Sequence, residues 1–163
     1  MTNYCKYAPT KTIHAEYHNN EYGFPLSDES RLFERLSLEI FQAGLSWDII
    51  LKKRQYICKA FDYFNVDNVS KYDRKYIQFL LNDPNIIRNK LKISSIIYNA
   101  NAIIYIRDEG GFSNWLSSHH PLKLDEWVHL FKKTFRFIGP KIVLEFLMST
   151  GYLPGAHLPS CPI

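Results

Sequence analysis

Two cysteines and two histidines near opposite ends of the chain carry side chains that bind metal ions. Cys5 and His18 lie near the N-terminus, and His157 and Cys161 lie near the C-terminus with three residues between them. Two thiolates and two imidazoles are a ligand set typical of a closed structural zinc site. A metal ion held by this set would join the two ends of the chain.

Two other interpretations stay open on spacing alone. Terminal cysteines and histidines are often solvated or packed without a metal, and Cys5 and Cys161 have the chemistry to form a disulfide. The chain has three cysteines, an odd number, and its opening residues lack the apolar segment of an export signal. We therefore expect a reducing, cytoplasmic location, which disfavours the disulfide.

Glu39 is a carboxylate on an otherwise apolar helical face. At roughly 100° per residue it falls within the arc of its apolar neighbours, which are Leu32, Leu36, Ile40 and Ala43. A carboxylate in such a place is costly without a partner. Glu39 therefore either lies at a pocket rim or in a buried ion pair, or it points into a pocket where it accepts hydrogen bonds from a ligand.

The segment that follows Glu39 joins two predicted helices through a short turn. Gly44 gives the backbone freedom there, Leu45 is expected near the tip, and Trp47 comes just after it. An exposed leucine at a tip can insert between stacked DNA bases. The alternative is that Leu45 and Trp47 are ordinary core residues.

A second connection, residues 82–93, begins with turn residues and ends with the cations Arg88, Lys90 and Lys92. Backbone N–H groups at the start of the following helix can hold a phosphate, and these cations would add positive charge. The alternative is a plain connection with a solvated basic face.

Helical periodicity recurs along the chain and predicts an all-α fold. The predicted helices are 27–43, a helix from 47 through 61, 73–81, one around 93–104 that ends at Gly110, 125–135, and one opened by Pro140 and closed by Gly151. Residues 1–26 show no sustained period and are predicted to form an irregular arm. No segment alternates as a strand would.

The composition indicates one domain, residues 1–163, with enough chain for a hydrophobic core. The net charge of +4 permits a polyanionic partner without requiring one. No apolar run approaches the roughly 20 residues that cross a bilayer, so we expect no membrane partner.

Several segments, in order along nearly the whole chain, resemble the 3-methyladenine DNA glycosylase I family. They are Cys5, residues 17–25 (Tyr-His-Asn-Asn-Glu-Tyr-Gly-Phe-Pro), 42–47 (Gln-Ala-Gly-Leu-Ser-Trp), 86–89 (Ile-Ile-Arg-Asn), 135–140 (Phe-Arg-Phe-Ile-Gly-Pro) and the closing His157 and Cys161. The resemblance implies an all-α fold related to the helix-hairpin-helix glycosylases. It also implies hydrolysis of the N-glycosidic bond of 3-methyladenine in DNA.

The resemblance assigns roles to individual residues. It implies one structural zinc ion per chain, held by Cys5, His18, His157 and Cys161. It implies a catalytic pocket of Glu39 and Tyr17, in which the base also contacts Trp47, with Tyr22 and Tyr7 at positions that often hold tryptophan in the family. It implies DNA contacts by a wedge at Gly44 and Leu45 and by the hairpin residues Arg88, Asn89, Lys90 and Lys92. In that hairpin Asn85 and Leu91 stand where the family usually has glycine.

These roles define the expected activity. We expect a monomer that acts on double-stranded alkylated DNA, releases the free base and, because no lysine has the context of a Schiff-base nucleophile, leaves the strand intact. The main alternative is a non-catalytic DNA-damage binding module of the same fold. A zinc hydrolase of another class and a helical domain without nucleic-acid contacts are further alternatives, and the sequence does not determine whether 3-methylguanine is also a substrate.

Overall fold

The computed structural model describes residues 4–163, and within that range every regular element is helical. The α-helices are α1 (Tyr4–Tyr7), α2 (Thr12–Asn20), α3 (Glu29–Gln42), α4 (Trp47–Ala60), α5 (Val66–Ser70), α6 (Arg74–Leu81), α7 (Lys90–Ile106), α8 (Phe112–His119), α9 (Leu124–Thr134) and α10 (Pro140–Ser149). Three short 3₁₀ segments lie at Ala8–Thr10, Asp62–Phe64 and Arg107–Glu109. The predicted all-α fold is confirmed.

The prediction of an irregular arm over residues 1–26 was wrong for most of its length. Helices α1 and α2 occupy much of that segment. The buried residues of α2 are His14, Tyr17 and His18, which are polar or aromatic. A helix that buries such residues shows no aliphatic period, so its sequence does not look amphipathic.

The boundaries of α3 and α4 follow from capping side chains. Asp28 accepts a hydrogen bond from the backbone N–H of Arg31, and Ser46 accepts one from that of Ile49. Such caps satisfy N–H groups that have no partner within the helix. Between the two helices Gly44 has a φ of +81°, a left-handed conformation that favours glycine. The predicted turn therefore lies where the sequence placed it.

Helix α3 is buried along most of its length and packs against α4, α7, α8 and α10. Leu32, Leu36 and Ile40 of its predicted apolar face have no exposed surface. Because neighbours surround α3, side chains near its C-terminal end are held in fixed positions. Helices α5 and α8, with five and eight residues, were not predicted.

The connection from α6 to α7 covers residues 82–89, and the Asn89 side chain caps α7 by accepting from the backbone N–H of Lys92. Neither Asn85 nor Leu91 has a positive φ, so this hairpin does not need glycine at those positions. Leu91 lies instead within the first turn of α7. In residues 4–163 no helix is long and apolar enough to cross a membrane.

Candidate active site

A cavity of about 410 Å³ lies where α2, α3, α4 and α10 approach one another. Its walls bring together Tyr17, Tyr22, Glu39 and Trp47, which come from separate parts of the chain. The remaining lining residues are Tyr4, Gln42, Lys141 and Glu145. A cavity of this size with aromatic walls and a few polar groups has the features of a small-molecule or nucleobase site.

Aromatic rings form one side of the cavity. The ring centroids of Tyr17 and Trp47 are 5.3 Å apart, and those of Tyr17 and Tyr22 are 5.9 Å apart. The guanidinium of Arg35 lies 4.8 Å from the centroid of the Tyr17 ring, and Arg35 also donates a hydrogen bond to the Ser149 carbonyl. Tyr17 is therefore fixed from behind and presents a rigid aromatic surface.

Glu39 is the buried acid of the cavity, with 7% of its surface exposed. Burial raises the pKa of Glu39 to about 8, Glu145 adds to this effect, and Arg35 and Lys141 oppose it. Among the described residues no group donates a hydrogen bond to its carboxylate. The group is thus available to a ligand that carries N–H donors or positive charge.

Four cavity residues were not predicted. Gln42 lies one helical turn from Glu39 on the same face of α3, a spacing that would have identified it. Glu145 interrupts the apolar run 142–148 of α10, the same signal that singled out Glu39. Lys141 and Tyr4 carry no comparable signal. Lys141 also qualifies the expectation about nucleophiles, because it places a primary amine at the cavity.

The structure does not bring Tyr7 into the cavity, and a contact between Tyr7 and the base stays a prediction. Tyr7 is exposed and does not line the cavity. At the end of α1 its ring packs on His14, with the two centroids 5.0 Å apart. Tyr4, one helical turn earlier, supplies the aromatic group to the cavity instead.

A groove extends the cavity towards the turn between α3 and α4. It shares Glu39, Gln42 and Lys141 with the cavity and continues along Gly44 and Leu45. Its far side is the start of α10, formed by Gly139, Pro140, Lys141 and Ile142. Leu45 is 39% exposed, so an apolar side chain stands in solvent at the edge of this groove.

The hairpin cations divide into two groups. Arg88, Asn89 and Lys90 are exposed around the start of α7, as a phosphate contact requires. Lys92 is buried, and its ammonium donates to the carbonyls of Phe41 and Ala43 at 2.8 and 2.5 Å. The prediction that Lys92 contacts DNA was therefore wrong, because its charge is used at the end of α3.

The four predicted metal ligands come together. The ligand atoms of Cys5, His18, His157 and Cys161 all lie within 4.8 Å of one another. The Cys161 sulfur is 3.7 Å from His18 Nε2 and 3.5 Å from His157 Nδ1, and the Cys5 sulfur is 3.9 Å from His157 Nδ1. Tetrahedral zinc with its usual bond lengths separates sulfur and nitrogen by about 3.6 Å. The donor set fits zinc in both chemistry and spacing.

The outer ring nitrogens of both histidines support the same assignment. His157 Nε2 lies 2.6 Å from the Tyr22 carbonyl, and His18 Nδ1 lies 2.8 Å from Asn19 Oδ1. Each outer nitrogen can donate to its oxygen, which leaves the inner nitrogen free as a metal ligand. Gly23 permits this arrangement, because a Cβ there would lie 2.9 Å from the His157 ring.

Known proteins that this chain resembles are methyladenine glycosylases. The family Methyladenine glycosylase matches residues 7–128. A DNA-3-methyladenine glycosylase of Haemophilus influenzae is 32% identical, over 99% of this chain and 98% of its own. DNA-3-methyladenine glycosylase 1 of Escherichia coli is 30% identical, over 96% and 94%. A solved Staphylococcus aureus structure of 3-methyladenine DNA glycosylase I, concerned with 3-methyladenine recognition, matches with a TM-score of 0.86 and 31% identity over 98% of this chain and 95% of that one.

The all-helical fold, with an aromatic cavity around a buried carboxylate, is that of a helical DNA glycosylase. Within that class, the chain belongs to the 3-methyladenine DNA glycosylase I family.

Proposed function

We propose that the protein hydrolyses the N-glycosidic bond of 3-methyladenine in alkylated double-stranded DNA. The observation that carries this proposal is the convergence of Glu39, Tyr17 and Trp47 in one cavity. Family membership supports the substrate, because the matched relatives are named for it. The solved neighbour concerned with 3-methyladenine recognition supports the same ligand.

The chemistry of the lesion fits the cavity. In DNA, 3-methyladenine is cationic, so its glycosidic bond is already weakened. The rings of Tyr17, Tyr22 and Trp47 attract a cation by about 0.5–2 kcal/mol for each good contact. The Glu39 carboxylate accepts N–H groups of the adenine edge, and its negative charge strengthens those bonds. Catalysis then rests on cavity electrostatics and on positioning, while water attacks the sugar as the base departs.

Access to the base requires that it leave the helical stack, at a cost of a few kcal/mol. Leu45 at the groove edge is positioned to fill the vacated space, and Gly44 lets the turn approach the DNA closely. Arg88 and Lys90 beside the start of α7 would bind the phosphate backbone. Asn89, which caps α7, would lie at the same helix end and contact the DNA there. This corresponds to the hairpin function implied by the helix-hairpin-helix glycosylases.

The Cys5, His18, His157 and Cys161 cluster would hold one zinc ion with a structural role. Four protein ligands leave no position for an activated water, so the ion would supply no chemistry to the reaction. It would tie the start of α1 and the end of α2 to the segment after α10. Because Tyr17 precedes His18, the metal site would also steady the aromatic wall of the cavity.

The reaction is expected to stop at base release. A lyase would trap a Schiff base between a lysine and the opened sugar, and Lys141 is the lysine that lines the cavity. Incubation with DNA that contains an abasic site and borohydride tests this directly. We expect no covalent adduct, whereas an adduct that disappears in Lys141→Gln would show a lyase.

The glycosylase activity is tested by chromatography of bases released from methylated DNA at saturating enzyme. We expect the native protein to release 3-methyladenine and Glu39→Gln to lose most of that rate while it keeps its DNA affinity. Glu16→Gln is a matched control, because Glu16 is an exposed glutamate on α2. Retained DNA binding with no release by the native protein would contradict the enzyme and leave a damage-binding module.

We further propose that the protein acts as a monomer in the cytoplasm. Cys5, Cys58 and Cys161 form no disulfide in the structure, which suits a reducing compartment. Gel filtration with light scattering should give the mass of one chain, 19.2 kDa. A stable dimer mass would contradict the monomer.

A further inference from the structure

A chain of three polar side chains runs from the protein surface to the base cavity. His14 on α2 is buried, with 1% of its surface exposed. Its Nε2 lies 3.2 Å from Asp48 Oδ1, and its Nδ1 lies 3.0 Å from the Tyr4 hydroxyl. Tyr4 in turn lines the cavity. None of the roles derived above uses His14 or Asp48.

The surface end of this chain is an ionised carboxylate. Lys52 and Lys11 lie 2.7 and 3.0 Å from the Asp48 oxygens, and their hydrogen bonds hold the pKa of Asp48 well below its usual range. An ionised carboxylate accepts hydrogen bonds and has none to donate. The proton between His14 and Asp48 therefore belongs to His14 Nε2.

The direction of the next hydrogen bond follows from this. In a neutral imidazole with its proton on Nε2, Nδ1 is an acceptor. The Tyr4 hydroxyl must then donate its one proton to His14 Nδ1. Towards the cavity the Tyr4 oxygen has only lone pairs to offer.

We propose that Tyr4 is a specificity-determining residue whose oxygen accepts a hydrogen bond from an N–H group of the bound base, and that His14 and Asp48 are positioning residues that hold it in this role. The proposal rests on the proposed function, since it assumes that a purine occupies the cavity. Glu39 is an acceptor when ionised, so Tyr4 and Glu39 together select a base edge rich in N–H donors.

Because both groups are hydrogen-bond acceptors, the site distinguishes purines by the group at ring position 6. Adenine carries an amino group there, which donates, whereas hypoxanthine and guanine carry a carbonyl oxygen, which accepts. When two acceptors face each other with no proton between them, both remain without a hydrogen bond. This commonly weakens binding of the mismatched ligand by tenfold or more. The arrangement therefore favours 3-methyladenine over 3-methylated 6-oxopurines.

The test compares the dissociation constants of free 3-methyladenine and 3-methylhypoxanthine, measured by calorimetry at one fixed pH. The native protein should bind 3-methyladenine at least about tenfold more tightly. Tyr4→Phe keeps the ring and should reduce that ratio about tenfold. In Asp48→Asn the proton of His14 is no longer fixed on Nε2, and the ratio of dissociation constants should fall about threefold.

Two control variants separate this role from packing. Tyr7→Phe alters a tyrosine that packs on the same His14 ring outside the cavity, and Lys52→Met removes an Asp48 partner without touching His14. Both should leave the ratio unchanged. The proposal is overturned if Tyr4→Phe keeps the native ratio, or if Tyr7→Phe lowers it equally. An unchanged ratio in Asp48→Asn removes the positioning role.

The binding test is independent of catalysis. A protein that prefers the 6-amino base but releases nothing from methylated DNA supports the inference and contradicts the glycosylase. A protein that releases 3-methyladenine but binds both probes equally supports the glycosylase and overturns the inference. Should Tyr4→Phe fail to fold, as judged by circular dichroism, Asp48→Asn still gives the result, because Asp48 is a partly exposed residue in the first turn of α4.

Discussion

Glu39 on α3 and Glu145 on α10 line the same cavity, so it holds two carboxylates from different helices. Burial is the main cause of the raised pKa of Glu39, and Glu145 is the second. Lys141 lies one turn before Glu145 and acts in the opposite direction. The charged groups of the cavity therefore set the pH at which Glu39 ionises.

The first prediction concerns the pH dependence of base release. If the Glu39 carboxylate is required, kcat/KM should rise with pH through about 8, the pKa that Glu39 has in the free protein. Glu145→Gln removes a like charge and should move the midpoint down by about one pH unit, while Lys141→Gln removes an opposite charge and should move it up. Single-turnover profiles of the three proteins measure this, and shifts of the same sign would contradict it.

The second prediction concerns the stability cost of the same carboxyl group. The pKa of Glu39 is about 8 in the folded protein and 4.5 in the reference state. The folded protein therefore holds the proton more tightly, and it loses stability as the pH rises through that window. Glu39→Gln should be more stable than the native protein by about 2–4 kcal/mol at about pH 9 and nearly equal at about pH 5. Urea unfolding at both pH values measures this, and a constant difference would contradict it.

The third prediction concerns the metal cluster. Cys161→Ser should lose most of its bound zinc and unfold at a temperature at least about 5–10 °C lower, because a metal bound only by the folded state stabilises it. Cys58→Ser is the matched control, since Cys58 is a free thiol outside the cluster. Atomic absorption and a thermal melt measure both effects. A metal-free native protein of equal stability would refute the structural role.

The fourth prediction separates two lysines of α7 that the sequence alone does not distinguish. Lys90→Met should weaken DNA binding and lower the slope of log affinity against log salt by about one. Lys92→Met should leave that slope unchanged and cost about 1–3 kcal/mol of stability, because two carbonyls lose a buried donor. Fluorescence titrations at several salt concentrations and denaturant unfolding measure the two effects. A lower slope in Lys92→Met together with an unchanged slope in Lys90→Met would show that Lys92 contacts DNA.

The cavity was predictable where a single residue broke a local pattern. Glu39 was found because an acid on an apolar helical face needs a reason, and the same rule applied to α10 would have found Glu145. Tyr4 was not predictable in this way, because its position depends on how α1 folds back on α2. Such a long-range arrangement leaves no period in the sequence.

The errors share one physical cause. Arm residues 4–20 form helices whose buried faces are tyrosine and histidine, so hydrophobic periodicity did not reveal them. Lys92 was counted with its exposed neighbours because a basic run gives no sign of which member turns inward. In both cases the deciding contact is with a distant segment, α4 for the arm and the end of α3 for Lys92.

The two hydrogen bonds of Lys92 have a mechanical consequence. They join the first turn of α7 to the last carbonyls of α3, immediately before the turn that carries Leu45. Movement of the hairpin relative to that turn must break both bonds or carry α3 with it. A DNA strand bound at Arg88 and Lys90 would therefore be held by the same rigid unit that carries Leu45. Contacts to the DNA backbone and displacement of the base would then be mechanically coupled.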